Sequence, residues 1–144
     1  MSTKFFRAAQ STFRQTLYRP SQIAPIRQFH TTLPKMTVHN IQTADEFKQA
    51  VKEHKVVLVD AFATWCGPCK AIAPVLVNHS NDEQFKDIYF AKIDVDDLPE
   101  LAQELGITAM PTFVLFKDGE PADKLVGANP NALVQLLKQN APSA

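Results

Sequence analysis

The chain has 144 residues, balances 15 Lys and Arg against 15 Asp and Glu, and is 45% hydrophobic, which suits one globular domain with a core and leaves no room for two full ones. No apolar run approaches the roughly 18 residues of a membrane span; the longest candidate, Val56–Ala63, is short and carries Asp60, so no membrane partner is expected. The net charge of zero hides a split: residues 1–44 hold Lys4, Arg7, Arg14, Arg19, Arg27 and Lys35 with no acid, whereas all 15 acids lie from Asp45 onward against nine basic residues.

The basic segment is also frequent in Ser and Thr, with Phe5, Phe6, Phe13 and Leu17 as an apolar stripe. Arg-rich, Ser-rich and acid-free composition belongs to organelle transit peptides. A basic arm for nucleic acid fits worse, because the charges are spread between apolar residues rather than clustered. No nucleic-acid partner is therefore expected. A secretory signal fits less well still, since no continuous apolar stretch is present. Arg27-Gln28-Phe29-His30-Thr31-Thr32 is similar to a mitochondrial two-step processing site. A first cut would follow Gln28, and an eight-residue trim would end at Met36. The expected division is a transit peptide over 1–36, disordered or weakly amphipathic helical, and a folded domain over 37–144. The expected address is the mitochondrial matrix. Met36 also offers a second translation start that would yield a cytoplasmic form, and the two stay open.

From Thr37 the elements follow in compact order. Val38–Ile41 is a short strand. Thr43 with Glu46 three residues on is a capping box, opening a helix with Phe47, Ala50, Val51 and His54 on one stripe. Val56–Ala63 reads as a strand buried on both faces. Lys70–His79 is helical in character, with Pro74 inside to remove one backbone hydrogen bond and kink it. Ile88–Val95 is a third strand. Asp96 or Asp97 caps a helix with Leu98, Leu101, Ala102 and Leu105 inward, stopped by Gly106. Thr112–Lys117 is a fourth strand, Asp118-Gly119 a hairpin turn, and the strand around Lys124–Val126 its antiparallel partner. Asn129-Pro130 opens a last helix with Leu133, Leu136 and Leu137 inward. Strands alternating with helices, ending in a hairpin, predict an α/β fold with a mixed central sheet between helices.

Both cysteines of the chain lie in Trp65-Cys66-Gly67-Pro68-Cys69-Lys70, directly after the buried strand. In an open α/β sheet, reactive sites gather at the carboxyl ends of strands. Gly67 and Pro68 allow a tight turn into a helix and place Cys66 at its N-terminus. Unpaired N–H groups and the helix dipole there favour a thiolate, and a depressed pKa makes a nucleophile. Cys69 lies one turn on, on the same side, so the two can form an intramolecular disulfide. One sulfur would attack a target disulfide, and the other would resolve the mixed disulfide by a second exchange.

Zinc is disfavoured, because a structural site needs about four ligands and His30, His39, His54 and His79 lack ligand spacing. No metal is expected. A purely structural disulfide would close too small a loop to restrain the unfolded chain. Inert buried thiols suit a core position better than this turn. Asp60, on the face of Val56, Leu58 and Phe62, is expected to be buried with a raised pKa, a candidate proton acceptor for Cys69. The alternative is a carboxylate satisfied by nearby donors. At Met110-Pro111 the pattern alone does not choose between a cis and a trans bond.

Together these residues resemble the thioredoxin family. The resemblance rests on Trp65 to Lys70, on Val59-Asp60-Ala61-Phe62-Ala63-Thr64-Trp65-Cys66, on Ala109-Met110-Pro111-Thr112-Phe113, on Lys117-Asp118-Gly119 and on Val126-Gly127-Ala128. It covers about 37–144. It implies the thioredoxin fold, a central mixed five-stranded sheet flanked by four helices, and a protein-disulfide reductase acting as a monomer. Cys66 would be the nucleophile, Cys69 the resolving thiol and Asp60 the buried acid, with Lys92 its possible partner. Trp65, Gly67, Pro68 and Lys70 would form the active-site turn. Pro111 would be cis against the disulfide, and Met110, Pro111, Gly127 and Ala128 would help dock clients. Re-reduction would come from a flavin- and NADPH-dependent thioredoxin reductase. This chain lacks G-x-G-x-x-G and would bind neither cofactor. Clients would include peroxide-reducing enzymes. A redox-dependent binding subunit of another protein is the alternative role. An oxidase or isomerase, or a glutaredoxin, is disfavoured by the Gly-Pro pair between the cysteines. Ala61-Phe62 departs from the family, where two large aromatics are common.

Overall fold

The structure, a computed structural model, describes residues 37–142; the expected transit peptide lies outside the described residues. The chain runs β1 (Val38–Ile41), α1 (Ala44–Glu53), β2 (Val56–Phe62), α2 (Gly67–Ser80), a 3-10 turn (Glu83–Phe85), β3 (Tyr89–Asp94), α3 (Pro99–Glu104), β4 (Thr112–Lys117), β5 (Glu120–Val126) and α4 (Pro130–Asn140). The five strands form one sheet in the order β1-β3-β2-β4-β5. β1 and β2 run parallel to β3, while β4 is antiparallel to both β2 and β5. No helix among the described residues is long and apolar enough to cross a membrane.

Strand β2 is central and buried on both sides from Val56 to Ala61. Its even-numbered side chains Val56 and Leu58 join Phe90, Phe113 and Leu115 against Ile72 and Leu76 of α2 and Leu133 and Leu137 of α4. Its odd-numbered side chains Val57, Val59 and Ala61 join Ile93, Val114 and Phe116 against Phe47 and Ala50 of α1 and Leu101 of α3. Burial of each such Leu or Phe contributes roughly 1.5–3 kcal/mol. Period two thus divides one strand between two cores.

Local chemistry sets the helix ends. Thr43 Oγ1 accepts the Glu46 N–H at 3.1 Å. The reciprocal arm reaches one residue further than a capping box requires: Glu46 Oε2 accepts the N–H of Gln42 at 2.7 Å. Asn129 caps α4 by accepting from the N–H groups of Asn131 and Ala132. Helix α3 corrects the sequence reading. Neither Asp96 nor Asp97 caps it; Leu98 holds the N-cap position without a side-chain bond, and Pro99 begins the helix. The Asp96 carboxylate is engaged elsewhere, as described below. Gly106 stops α3 at φ +62°, and Asp118 and Gly119 turn the hairpin at φ 51° and 87°. The 3-10 turn over Glu83–Phe85, absent from the sequence reading, is capped by Asp82 through the Gln84 N–H.

The two sheet edges are short or interrupted. β1 has four residues. β5 is longer than expected but carries Pro121, and Ala122 is left over where Leu115 faces Asp123 and Phe116 faces Pro121. At the sheet end remote from the cysteines, the Tyr89 ring stacks on His39 at 4.4 Å and on His54 at 4.0 Å, joining β1, β3 and the end of α1.

Asn129→Ala removes both bonds at the start of α4 and is expected to cost about 1 kcal/mol, read as a lower urea midpoint at unchanged slope.

Candidate active site

Beyond Phe62 the chain leaves the sheet and turns. The Cys66 N–H donates to the Ala63 carbonyl at 3.1 Å, and Cys66 becomes the N-cap of α2. Pro68 sits in the first turn, where its missing N–H costs nothing. Gly67 is not required by the turn itself: its φ is not positive, and an added Cβ would meet nothing within 4 Å. Glycine there leaves the surface beside the sulfurs bare. Pro74 lies inside α2 and withholds one helical donor.

Cys66 and Cys69 are joined as a disulfide with Cα atoms 5.3 Å apart. The sulfurs differ less in burial than in hydrogen bonding, since both cysteines are buried. The Cys69 N–H donates to Cys66 Sγ at 3.2 Å. That sulfur therefore occupies the acceptor position which a capping oxygen fills in other helices.

Ala63 and the two cysteines form a small apolar cluster, with Phe62, Val95 and Met110 packed against it. The Met110–Pro111 bond is cis. Pro111 is buried, and its carbonyl accepts the Gly127 N–H at 2.8 Å. Gly127 has φ +99°, a conformation that favours glycine. Ala128 beside it is exposed, as are Gly67, Pro68 and Lys70. Trp65 is 66% exposed, yet its indole is held: Nε1–H donates to Asp96 Oδ2 at 2.8 Å. Asp94 Oδ1 in turn accepts the Asp96 N–H at 2.9 Å. The sequence reading missed this tether because it treated Asp96 as a helix cap.

Asp60 is 4% exposed, and its Oδ1 has no hydrogen-bond partner. Burial pushes the carboxyl from its ordinary 3.8 up to about 7, against the pull of Lys92. Lys92 is its register partner on β3. A cavity of about 340 Å³ is lined by Asp60, Phe62, Thr64, Cys69, Lys70 and Lys92, among others. The structure thus brings the acid, the second cysteine and both expected lysines to one cleft. Among the described residues, no group of three or more His, Cys, Asp or Glu is placed to hold a metal ion.

The thioredoxin family matches residues 38–139 of this sequence. The chain belongs to the thioredoxin family. Thioredoxin-2 of Pyricularia oryzae is 49% identical over 144 residues, spanning 99% of this chain and 83% of its own length. The crystal structure of Malassezia sympodialis thioredoxin superposes with a TM-score of 0.72 at 44% identity, covering 78% of this chain and 98% of that one. Mitochondrial thioredoxin 3 of Saccharomyces cerevisiae, in its oxidised form, gives a TM-score of 0.68 at 39% identity, covering 74% of this chain and 99% of that one. With the thioredoxin fold and the bridged Cys66–Cys69 pair, the protein is a dithiol–disulfide oxidoreductase. Its redox centre is the disulfide itself rather than a bound cofactor.

The raised Asp60 pKa has a sign that stability measurements read. Between the unfolded value of 3.8 and the folded value of about 7, the native state holds a proton that the unfolded chain releases. Stability therefore falls as pH rises through that window and is lowest above it. The cost above the window is on the order of 4 kcal/mol. Asp60→Asn removes this dependence: relative to the parent, its unfolding free energy is expected to rise between pH 4 and pH 8 and to level off beyond. A constant difference across that range in urea titrations is the contrary outcome.

Proposed function

We propose that Cys66 is the attacking sulfur and Cys69 the resolving one in reduction of client-protein disulfides. The observation that carries this is the Cys69 N–H aimed at Cys66 Sγ at the N-cap of α2. Once the disulfide is reduced, the same N–H and the helix dipole stabilise a thiolate on Cys66. That thiolate attacks one sulfur of a client disulfide, and the other client sulfur leaves with the electron pair and is protonated. Cys69 then gives its proton to Asp60, which near neutral pH is partly ionised, and attacks Cys66 Sγ. The client leaves as a dithiol, and the Cys66–Cys69 bond returns.

Clients dock over the bare turn of Trp65, Gly67 and Pro68 and against Met110, Pro111, Gly127 and Ala128. The partly exposed apolar surface supports this, with Trp65 braced by Asp96. Thioredoxin reductase restores the dithiol, and clients include peroxide-reducing enzymes, so the protein works as an electron carrier. Residues 1–36 act as a transit peptide, residues 37–144 are the mature domain, and the site of action is the mitochondrial matrix. The acid-free, Arg-bearing composition of the first 44 residues supports this address. So does likeness to a thioredoxin described as mitochondrial.

Cys66→Ser is expected to reduce insulin disulfides no faster than buffer containing the reductant alone. Cys69→Ser should instead trap clients as mixed disulfides on Cys66, visible by mass spectrometry. Trapping on Cys69 in the Cys66→Ser variant would reverse the roles. For the address, N-terminal sequencing of protein from purified mitochondria should begin at Thr37. An intact Met1, or recovery only from cytosol, would remove the transit-peptide reading.

A further inference from the structure

Lys92 has two possible partners on β2. Parallel register sets it opposite Asp60. Phe62 lies two residues further along the same strand and so faces the same side. The ammonium goes to Phe62, with Nζ 5.3 Å from the ring centroid. Asp60 Oδ1, buried beside it, is left without a hydrogen-bond partner. All three side chains line the cavity that Cys69 also lines. We infer that Phe62 is a positioning residue: its ring holds the Lys92 ammonium off the Asp60 carboxylate and so keeps Asp60 able to accept a proton at neutral pH.

The physical case is a competition for one cation. The electron-rich face of an aromatic ring attracts an ammonium. A carboxylate attracts it too, and an ammonium within about 4–6 Å stabilises the ionised acid. An acid paired in that way stays ionised at neutral pH and is a poor base. The other groups around Asp60 cannot take the place of Lys92. Across β4 the register partner is Phe113, which is apolar. From α2 come Cys69, tied in the disulfide, and Lys70, whose side chain is exposed. Thr64 adds only a hydroxyl to the cavity. Burial raises the carboxyl and Lys92 alone opposes it, so the placement of Lys92 sets the balance.

The inference builds on Asp60 as proton acceptor for Cys69, and its test separates the two. Carbon-13 NMR follows the Asp60 carboxyl against pH in the purified full chain with the disulfide intact, where neither thiol titrates. Phe62→Leu should lower the Asp60 midpoint by about one pH unit or more, because Lys92 is released to it. Phe62→Trp, which keeps an aromatic face, should leave the midpoint in place. In a Lys92→Met background, Phe62→Leu should no longer lower it. The inference is overturned if Phe62→Leu leaves the midpoint unmoved, or if Phe62→Trp shifts it as far as leucine does. A lowering that persists without Lys92 also overturns it, because water entry would then be the cause. Phe62→Met carries the same test should the leucine variant not fold. The pH profile for release of a mixed disulfide is then measured on the same variants. A profile that tracks the carboxyl midpoint ties Asp60 to Cys69. One that does not removes the acceptor role and leaves the hold of Phe62 on Lys92 standing.

Discussion

Strand β2 has hydrogen-bonded neighbours on both edges and packed side chains on both faces, and this confinement decides where the chemistry sits. The sheet fixes its direction, so its carboxyl end delivers the turn that carries the cysteines. Its period of two sends Asp60 to the same side as α2, the helix that carries both sulfurs. An acid on such a strand is largely shut off from solvent, and here it is 4% exposed at the wall of a cleft. It either meets a donor or spends part of its time neutral. Here Oδ1 meets none, and the carboxyl titrates near neutrality. Burial of this carboxyl weakens the fold and raises its pKa together.

Much of this was legible in the residues. β-branched and apolar continuity marked β2 as doubly buried. Thr43 and Asn129 announced helix starts, and Gly106 and the Asp118-Gly119 pair announced turns. Each of these signals is local, a side chain acting on the backbone within a few residues. The misreadings concern groups with more than one available partner. Asp96 stands before a helix and has the chemistry of a cap. It bonds Trp65 instead, 31 residues away in sequence. Phe62 reads as one more apolar strand residue, and nothing in its neighbours announces that Lys92 lies over it. The 3-10 turn after Asn81 was missed because three residues are too few to show a period.

The pairing of the two sulfurs was readable because they lie three residues apart, so helix geometry alone relates them. The cis bond before Pro111 was not readable from pattern. It lies more than 40 residues from the cysteines in sequence, and only the fold sets Met110 against their cluster. Gly127 is similar. Its backbone conformation belongs to the end of β5, yet its N–H goes to the Pro111 carbonyl. The apolar cluster at the disulfide thus draws Val95 and Met110 from stretches far along the chain, and only the stretch with the cysteines carries a self-contained motif.

The sheet edges bear on the company this protein keeps. A protein-disulfide reductase meets other polypeptide chains. A long, regular outer strand would offer such chains a template for pairing. β1 is too short to template much, and β5 presents a proline without a donor and one residue out of step. The rims of the sheet thus offer another polypeptide little regular backbone to pair with.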